Sequence, residues 1–309
     1  MSENLVLPMV PELPSELENA AKDGRLVLFV GAGASMLVGM PSWQELATCA
    51  LSDLVKIKEI DYGEKHQLSE LDPKKQLSIA DQIARDAGMQ LELGDHLVPN
   101  RDSKIYEVIN SIGAVSVTTN YDHELAPIPK IVVKGDETPS TVRRISGAEN
   151  LGGNYLREPG TVIHLHGDKD DSRNMIVTTK DYLDHYDHPK VAHFLMELFK
   201  HNVVLFLGYG LKESEILEHI LRRSGARKDV QERRRFTLQP FLSKQRPLCE
   251  RLVTYYEETF GVHLIGYNID AIGYDQLERV MISWADKLSV RPLSLVDEMA
   301  VLDEVIANE

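Results

Sequence analysis

The stretch RLVLFVGAGAS, residues 25–35, decides the fold. Its run of apolar residues predicts a strand that is buried on both faces, and the glycines after it predict a tight turn into a helix. Such a turn lets the backbone approach a pyrophosphate, whose charge is held by amides at the helix start. Short apolar runs of the same kind recur at residues 114–119, 161–165, 202–208, 235–241 and 262–267.

The segments between these runs have helical spacing, so the sequence predicts an α/β fold with a doubly wound, Rossmann-like parallel sheet. Ser15 and Glu18 predict a capping box at the first helix, and Gly24 predicts its left-handed end. Residues 50–110 predict an inserted helical subdomain, and residues 127–160 predict a loop-rich excursion. Residues 291–309 predict an acidic C-terminal helix.

Composition excludes several function classes. The 309 residues carry a net charge of −14, so the molecule as a whole repels nucleic acid and anionic membranes. No apolar run reaches the length of a spanning helix, and the first residues lack the pattern of a signal peptide. We therefore expect a cytoplasmic protein without membrane contact. The two cysteines, Cys49 and Cys249, are too few for a disulfide framework or a four-cysteine zinc site.

The motif TTNYD, residues 118–122, follows the second predicted strand. In open α/β sheets, ligands bind outside the carboxyl ends of the strands. The amide of Asn120 offers donors and an acceptor without charge, which suits ribose hydroxyls or a water molecule. The alternative is an Asx-turn that only closes the strand.

The motif IHLHGD, residues 163–168, places His164 and His166 on one face of a strand. A histidine at a strand end is suited to accept a proton near neutral pH. Two histidines also raise the possibility of a metal, but no third ligand stands at a recognisable spacing, so we predict no metal site. A buried structural histidine remains the other alternative.

A second strand–glycine–helix element begins at VVLFLGYG, residues 203–210. Gly208 and Tyr209 follow the strand directly, and the segment from Leu211 to Ile216 predicts the next helix. Such an element is suited to the other half of a dinucleotide.

These four motifs, in this order, resemble the sirtuin-like (SIR2-type) superfamily. The resemblance is closer to its bacterial antiphage-defence branch of NAD hydrolases than to the protein deacylases. It implies one NAD-hydrolysing domain over residues 1–290. It also implies that Asn120 orients the nicotinamide ribose and the attacking water, that His166 is the general base, and that Asp122 supports the Asn120 loop. The implied NAD contacts are Gly31, Ala32, Gly33, Ser35, Thr119, Gly208 and Tyr209.

The deacylases carry a four-cysteine zinc module that this chain cannot form. The resemblance therefore implies that water is the acceptor, and that NAD is hydrolysed to nicotinamide and ADP-ribose in a regulated abortive-infection response. Two alternatives stay open: a non-catalytic module that binds NAD or ADP-ribose, and an NAD-dependent protein deacylase. The motifs do not separate NAD from NADP.

Regulation is implied because unrestrained NAD hydrolysis is toxic. We expect a homo-oligomer, and a separate regulator such as a HerA-like ring ATPase. The contacts between copies in the homo-oligomer are expected to involve residues 50–110, 222–235 or 293–309. The stretch 222–235 holds seven basic residues without an interleaved aromatic. We interpret it as a solvated loop or subunit contact and do not expect direct nucleic-acid binding.

Overall fold

The computed structural model describes residues 7–128, 143–171, 174–210 and 234–290, and the structural statements below concern these ranges. Seven strands form one sheet in which every neighbouring pair is parallel. The strands are β1 Leu26–Val30, β2 Val115–Thr118, β3 Arg144–Ser146, β4 Val162–His164, β5 Val203–Leu207, β6 Arg235–Phe241 and β7 His263–Asn268.

The spatial order of the strands is β3-β4-β2-β1-β5-β6-β7. The chain builds outward from β1 on one side, with β2, β3 and β4, and then crosses back to place β5 on the other side of β1. This reversal creates a topological switch point between β1 and β5. In open α/β sheets the crevice outside the carboxyl ends of such strands is where ligands bind.

Helices connect the strands, and local sequence sets several of their ends. A capping box between Ser42 and Glu45 begins α3, and Gly113 ends α6 in the left-handed conformation (φ 72°). The helices of the described residues are α1 Ser15–Lys22, α2 Ala32–Leu37, α3 Trp43–Lys56, α4 Tyr62–Leu68, α5 Pro73–Asp86, α6 Ile105–Ile112, α7 Thr179–Asp187, α8 Pro189–His201, α9 Arg246–Phe260 and α10 Gln276–Leu288.

Each face of the sheet has its own hydrophobic core. Successive side chains of a strand point to opposite faces. Leu28 therefore packs in a core with residues of α1, α6 and α10, whereas Phe29 packs on the other face with residues of α8. Because β1 is covered on both sides, all five of its residues are buried. This burial on both faces explains why residues 26–30 are continuously apolar.

The helical insertion has a separate small core. Buried residues of α3 and α5, including Leu51 and Leu77, pack together with Tyr121 and Met175 from the main domain. Helix α6 lies within the predicted insertion, but its Ile105 and Ile109 belong to the core under the sheet. The insertion therefore rests on the loops after β2 and β4, close to the carboxyl edge of the sheet.

The predicted fold class is confirmed, with four local differences. The loop-rich excursion contains the short edge strand β3, which the sequence analysis missed, and the strand predicted at 161–165 ends at His164. The capping box at Ser15 is wrong, because Pro14 occupies the N-cap position and the Ser15 hydroxyl bonds Glu16 instead. Within 222–235, Arg235 does not belong to a solvated loop, because it is the half-buried first residue of β6 and its guanidinium donates to the carbonyls of Phe199 and Phe260.

Gly24 has the predicted left-handed conformation, with a φ of 64°. The predicted C-terminal helix, the helix of the fourth motif and most of the basic stretch lie outside the described residues. Among the described helices, none combines the length and the apolar character needed to cross a membrane.

Candidate active site

The four motifs end at one row across the sheet. Leu207, Val30, Thr118 and His164 are successive register partners on β5, β1, β2 and β4. The residues that follow this row are therefore neighbours at the carboxyl edge. Asn120 and His166 each lie two residues beyond a partner in this row, on adjacent strands.

The two glycine loops pack backbone against backbone. The amide of Gly33 donates to the carbonyl of Gly208 at 2.8 Å, and the amide of Gly31 donates to the carbonyl of Leu207 at 2.9 Å. A Cβ on Gly33 would lie 2.7 Å from the Gly208 oxygen, which no side chain tolerates. The glycines are thus required by contact between the loops, and two of the amides predicted to bind pyrophosphate already have carbonyl partners.

Asn120 sits in a buried polar network. Its Nδ2 donates to the hydroxyl of Ser35 at 2.9 Å and points to the phenol oxygen of Tyr106 at 3.4 Å. The Ser35 hydroxyl donates to Oδ2 of Asp122 at 2.6 Å and lies 2.9 Å from the Tyr106 phenol. All four side chains are buried. The structure therefore links Asn120 to Asp122 through the hydroxyl of Ser35, and it adds Tyr106 to this group.

His164 and His166 have different environments. Nδ1 of His164 lies 3.0 Å from the backbone oxygen of Asn120, so this ring ties the loops after β2 and β4 together. His166 lies in the turn beyond β4, and its Nε2 is 2.8 Å from the hydroxyl of Tyr186. The two imidazoles are thus engaged separately and do not form a joint ligand pair.

Helix α7 covers His166. The rings of Tyr182, His185 and Tyr186 pack edge-on against the His166 imidazole, with centroid distances of 5.1, 5.8 and 5.9 Å. Only 1% of His166 is exposed to solvent. The opposite side of α7 is open to solvent, where Leu183 is exposed. In this conformation a substrate has no access to the imidazole.

Burial keeps the imidazoles around this site uncharged. Desolvation lowers the pKa of His164 to about 4 and that of His185 to about 4. The pKa of His166 lies well below its ordinary value for the same reason, with smaller contributions from His185 and Lys74. A neutral imidazole is the form that accepts a proton, so His166 has the protonation state of a base at neutral pH.

Helix α7 is also fastened to the helical insertion. The backbone amide of Thr179 donates to the hydroxyl of Ser78 on α5 at 2.9 Å. The ammonium of Lys74 on the same helix lies 3.8 Å from the centroid of the Tyr182 ring. The insertion therefore contacts the helix that covers His166 and does not itself cover the imidazole.

One group of side chains has the composition of a metal site. His123, Asp168 and Asp170 place one potential ligand atom each within 4.8 Å of one another. However, Nε2 of His123 faces Asp168 at 3.4 Å, whereas Nδ1 faces Asp170 at 3.5 Å. One metal ion binds one nitrogen of a ring, so a ring with its two nitrogens turned to two different carboxylates does not have the geometry of a metal centre.

Two cavities flank the start of α7. One of about 240 Å³ lies between α7 and the loops after β3 and β4, and it is lined by Gly147, Gly167 and His185. The other, of about 360 Å³, lies between α5 and the segment before α7, with Asp81 and Asp181 among its lining residues. Neither lining includes the glycine loops or the Asn120 network.

The predicted residues therefore fall into two groups. Asn120, Asp122 and Ser35 form one bonded network, and Gly31, Ala32, Gly33, Thr119, Gly208 and Tyr209 lie along the same edge. His166 lies at this edge too, under α7. Sequence reasoning missed Tyr106, for which the sequence holds no signal. It also missed Tyr182, His185 and Tyr186, whose i, i+3, i+4 spacing marks one helix face.

Comparisons with known proteins agree with this architecture. Residues 114–265 match the family described as SIR2-like domain. The chain is 28% identical over 218 residues to NAD(+) hydrolase ThsA of Enterococcus faecium, an alignment that covers 68% of this chain and 42% of that protein. It is 24% identical over 279 residues to Defense-associated sirtuin 2 of Bacillus subtilis, which covers 87% of this chain and 26% of that protein.

The chain spans less than half the length of each of these two relatives. The matched family segment begins just before β2 and ends within β7, so it contains Asn120, Asp122, His166, α7 and β5, whereas Ser35 and Tyr106 precede it. The resemblance drawn from the four motifs is thereby confirmed, and residues 114–265 match a SIR2-like domain.

Proposed function

We propose that this protein hydrolyses NAD to nicotinamide and ADP-ribose. The observation that carries the proposal is the placement of Asn120 and His166 two residues beyond paired positions on adjacent strands. The glycine loops after β1 and β5 stand beside them, at the switch point where a dinucleotide would bind. The similarity to NAD(+) hydrolase ThsA supports this activity, and the similarity to Defense-associated sirtuin 2 supports a role in defence.

Cleavage of the nicotinamide–ribose bond develops positive charge on the ribose, with oxocarbenium character. A fixed polar group lowers the barrier because it needs no reorganisation as the charge develops. Asn120 would supply this group, since its amide is held by Ser35 and Tyr106 before substrate arrives. Its role would be to orient the ribose hydroxyls and the water that attacks the anomeric carbon.

His166 would act as the general base. Its pKa lies well below the ordinary value because it is buried, so it is neutral and can accept a proton from a ribose hydroxyl or from water. The nitrogen that would do so, Nε2, is bonded to Tyr186 in the described conformation. Hydrolysis would therefore require α7 to move away, which makes the covered state the inactive one.

Biologically, we place this activity in abortive antiphage defence, as a regulated effector in the cytoplasm. A resting enzyme with a covered base fits such a role, since NAD loss must wait for a trigger. We further propose a homo-oligomer, and a separate regulator such as a ring ATPase, as the means by which α7 is released. The regulator would act on α7 through the helical insertion, because α5 of the insertion contacts α7.

The test is to incubate the purified protein with NAD, alone and with the product of its genomic neighbour, and to follow nicotinamide and ADP-ribose by chromatography. Equal release of both products in at least one arm supports the proposal. Binding of NAD by calorimetry without product in either arm favours the non-catalytic module. Release of an O-acylated ADP-ribose from an acyl-lysine peptide would favour the deacylase.

Light scattering in the same samples tests the assembly. A protein that stays monomeric at micromolar concentration in both arms, and yet hydrolyses NAD at full rate, would contradict control by assembly. For the basic stretch, charge reversal is informative only at positions before Arg235. That residue bonds carbonyls of Phe199 and Phe260, so its replacement would disturb the fold itself.

A further inference from the structure

The buried network around Asn120 has only one consistent set of proton positions. The side chain of Asp122 accepts from the amide of Glu124 at 3.1 Å through Oδ1 and from the Ser35 hydroxyl at 2.6 Å through Oδ2. A serine has a single hydroxyl proton. The proton of Ser35 is therefore committed to Asp122, and the Ser35 oxygen is left with its two lone pairs.

These two lone pairs determine what the neighbours do. The Tyr106 phenol lies 2.9 Å from the Ser35 oxygen and must donate to it, since Ser35 has no second proton to give. Desolvation and the Asp122 charge hold the pKa of Tyr106 well above its ordinary value, so the phenol keeps its proton. The second lone pair accepts from Nδ2 of Asn120 at 2.9 Å.

This pattern fixes the orientation of the Asn120 amide. In the flipped orientation, the amide oxygen would face the Ser35 oxygen with no proton between them, and a buried acceptor would lose its bond. The observed orientation turns Oδ1 away from the network. Within the described residues this oxygen makes no hydrogen bond, so it is the acceptor that remains for a hydroxyl or a water.

We propose that Tyr106 is a positioning residue that, through Ser35, sets which end of the Asn120 amide faces the substrate. This inference rests on the proposed hydrolysis of NAD for its kinetic consequence, but the amide orientation itself exists without substrate. Ser35, which the sequence motif assigns to the pyrophosphate, becomes the relay between Tyr106, Asp122 and Asn120.

The first experiment is kinetic. Tyr106→Phe keeps the buried ring and removes only the hydroxyl, so the fold is retained. We expect kcat for NAD hydrolysis to fall ~10-fold with KM nearly unchanged, the effect of one lost hydrogen bond to an orienting group. Tyr267→Phe is the matched control, because Tyr267 is buried in the same core but lies on β7, four strands away from β2, which Asn120 follows. It should retain wild-type values of both constants.

The second experiment does not need activity. In the ¹H–¹⁵N spectrum, the side-chain amide of Asn120 is assigned by its loss in Asn120→Asp. Tyr106→Phe should move these two resonances and speed their exchange with solvent, whereas Tyr267→Phe should leave them in place. Unchanged resonances in Tyr106→Phe would overturn the proposal, even if the wild-type protein proves unable to hydrolyse NAD.

A double-mutant cycle separates positioning from packing. If Tyr106 acts through Ser35, then Tyr106→Phe adds little to the amide shift or to the loss of kcat once Ser35→Ala is present. Additive effects of the two changes would contradict the relay. Wild-type kinetics in Tyr106→Phe, with an active wild-type enzyme, would refute the kinetic part while leaving the proposed function intact.

Discussion

The hydroxyl of Tyr186 lies 2.8 Å from Nε2 of His166, and it occupies the nitrogen that we propose accepts a proton during catalysis. Tyr186 stands on α7 together with two other residues whose rings pack on the same imidazole. A single nine-residue helix therefore determines whether His166 is accessible. The arrangement predicts the direction in which the rate changes when the Tyr186 hydroxyl is removed. The rate should rise if this hydroxyl blocks the base, and it should fall if the hydroxyl assists the base.

Replacing Tyr186 by Phe should raise the rate of NAD hydrolysis. The change removes the hydrogen bond to Nε2 and keeps the ring, so α7 is held less tightly and the base is released. An increase of ~10-fold is expected from the loss of one buried hydrogen bond. Initial rates of nicotinamide release measure it. Leu183→Ala, on the exposed side of α7, is the control and should leave the rate unchanged.

Locking α7 should have the opposite effect. The hydroxyls of Ser78 and Thr179 are 3.3 Å apart, so cysteines at these positions are close enough for a disulfide between α5 and α7. The oxidised variant should lose activity and regain it with dithiothreitol. Oxidised wild-type protein controls for Cys49 and Cys249.

A Tyr186→Phe rate below that of wild type would show that Tyr186 assists His166 instead of blocking it.

Asn120→Ala and His166→Ala should each lower NAD hydrolysis at least ~100-fold, the scale of a lost general base or prepositioned polar group. Circular dichroism and melting temperature show whether the fold is intact. His263→Ala, a half-buried histidine on β7, is the control and should keep its activity. Wild-type rates in both site variants would reject the assignment of these residues.

The contact between the glycine loops predicts a large loss of stability in Gly208→Ala. The residue has a φ of 58°, and a Cβ would lie 2.6 Å from the amide nitrogen of Ala34. Gly88→Ala is a matched control, because its φ is 73° but nothing lies within 4 Å of the added Cβ.

We expect about 1 kcal/mol of destabilisation for the conformational cost alone in Gly88→Ala, and at least ~2 kcal/mol more in Gly208→Ala. Urea denaturation of both variants measures the difference. Equal losses would mean that the loops can separate without cost.

Acid should destabilise the protein through its buried histidines. The folded-state pKa of His164 and of His185, about 4 each, lies below the ordinary value of 6.5. As the pH falls through 6.5, the unfolded chain binds protons that the folded chain does not. The free energy of unfolding is therefore complete above that pH and declines until about pH 4, by on the order of 3 kcal/mol for each histidine.

Urea titrations at pH 7 and pH 5 give the size of this decline. His185→Gln removes one of the two groups, so the difference between the two pH values should shrink in that variant. His66→Gln, an exposed histidine on α4, should leave the difference as it is. An equal decline in all three proteins would assign the acid sensitivity to other groups.

We predict that the activity needs no metal. Protein treated with EDTA and then desalted should keep both its rate of NAD hydrolysis and its melting temperature, since the two site imidazoles are bonded to Asn120 and Tyr186. Elemental analysis of the purified protein checks the cluster at His123, Asp168 and Asp170 directly. Stoichiometric zinc, or loss of activity that returns with added metal, would contradict the prediction.

The sequence predicted the fold because its decisive signals are local. A short apolar run such as residues 26–30, with glycines directly after it, is typical of a doubly covered strand, and the glycines mark the carboxyl edge where ligands bind. Asn120 and His166 could be predicted to lie at the same edge for the same reason, since parallel strands end at a common edge. The short strand β3 was not predicted, because three residues at the edge of a sheet show no periodic pattern.

The side-chain partners could not be predicted in the same way. Tyr106 reaches Asn120 from a helix, and the direction of its phenol depends on tertiary packing that no spacing encodes. Ser35 matched a phosphate-binding motif, but the proximity of Asp122 gives its hydroxyl a different bond. The cover on His166 comes from α7, and only the structure shows which helix lies over the imidazole.

The interlocked loops after β1 and β5 have a consequence for biosynthesis. The two strands pair along their whole length, although more than 170 residues of chain separate them. On the ribosome, the edge that carries Asn120 and His166 lacks one wall of its crevice until residues 203–208 have emerged. An incomplete chain therefore lacks this crevice, and the NAD hydrolysis that we propose would have to wait until β5 has been synthesised and docked.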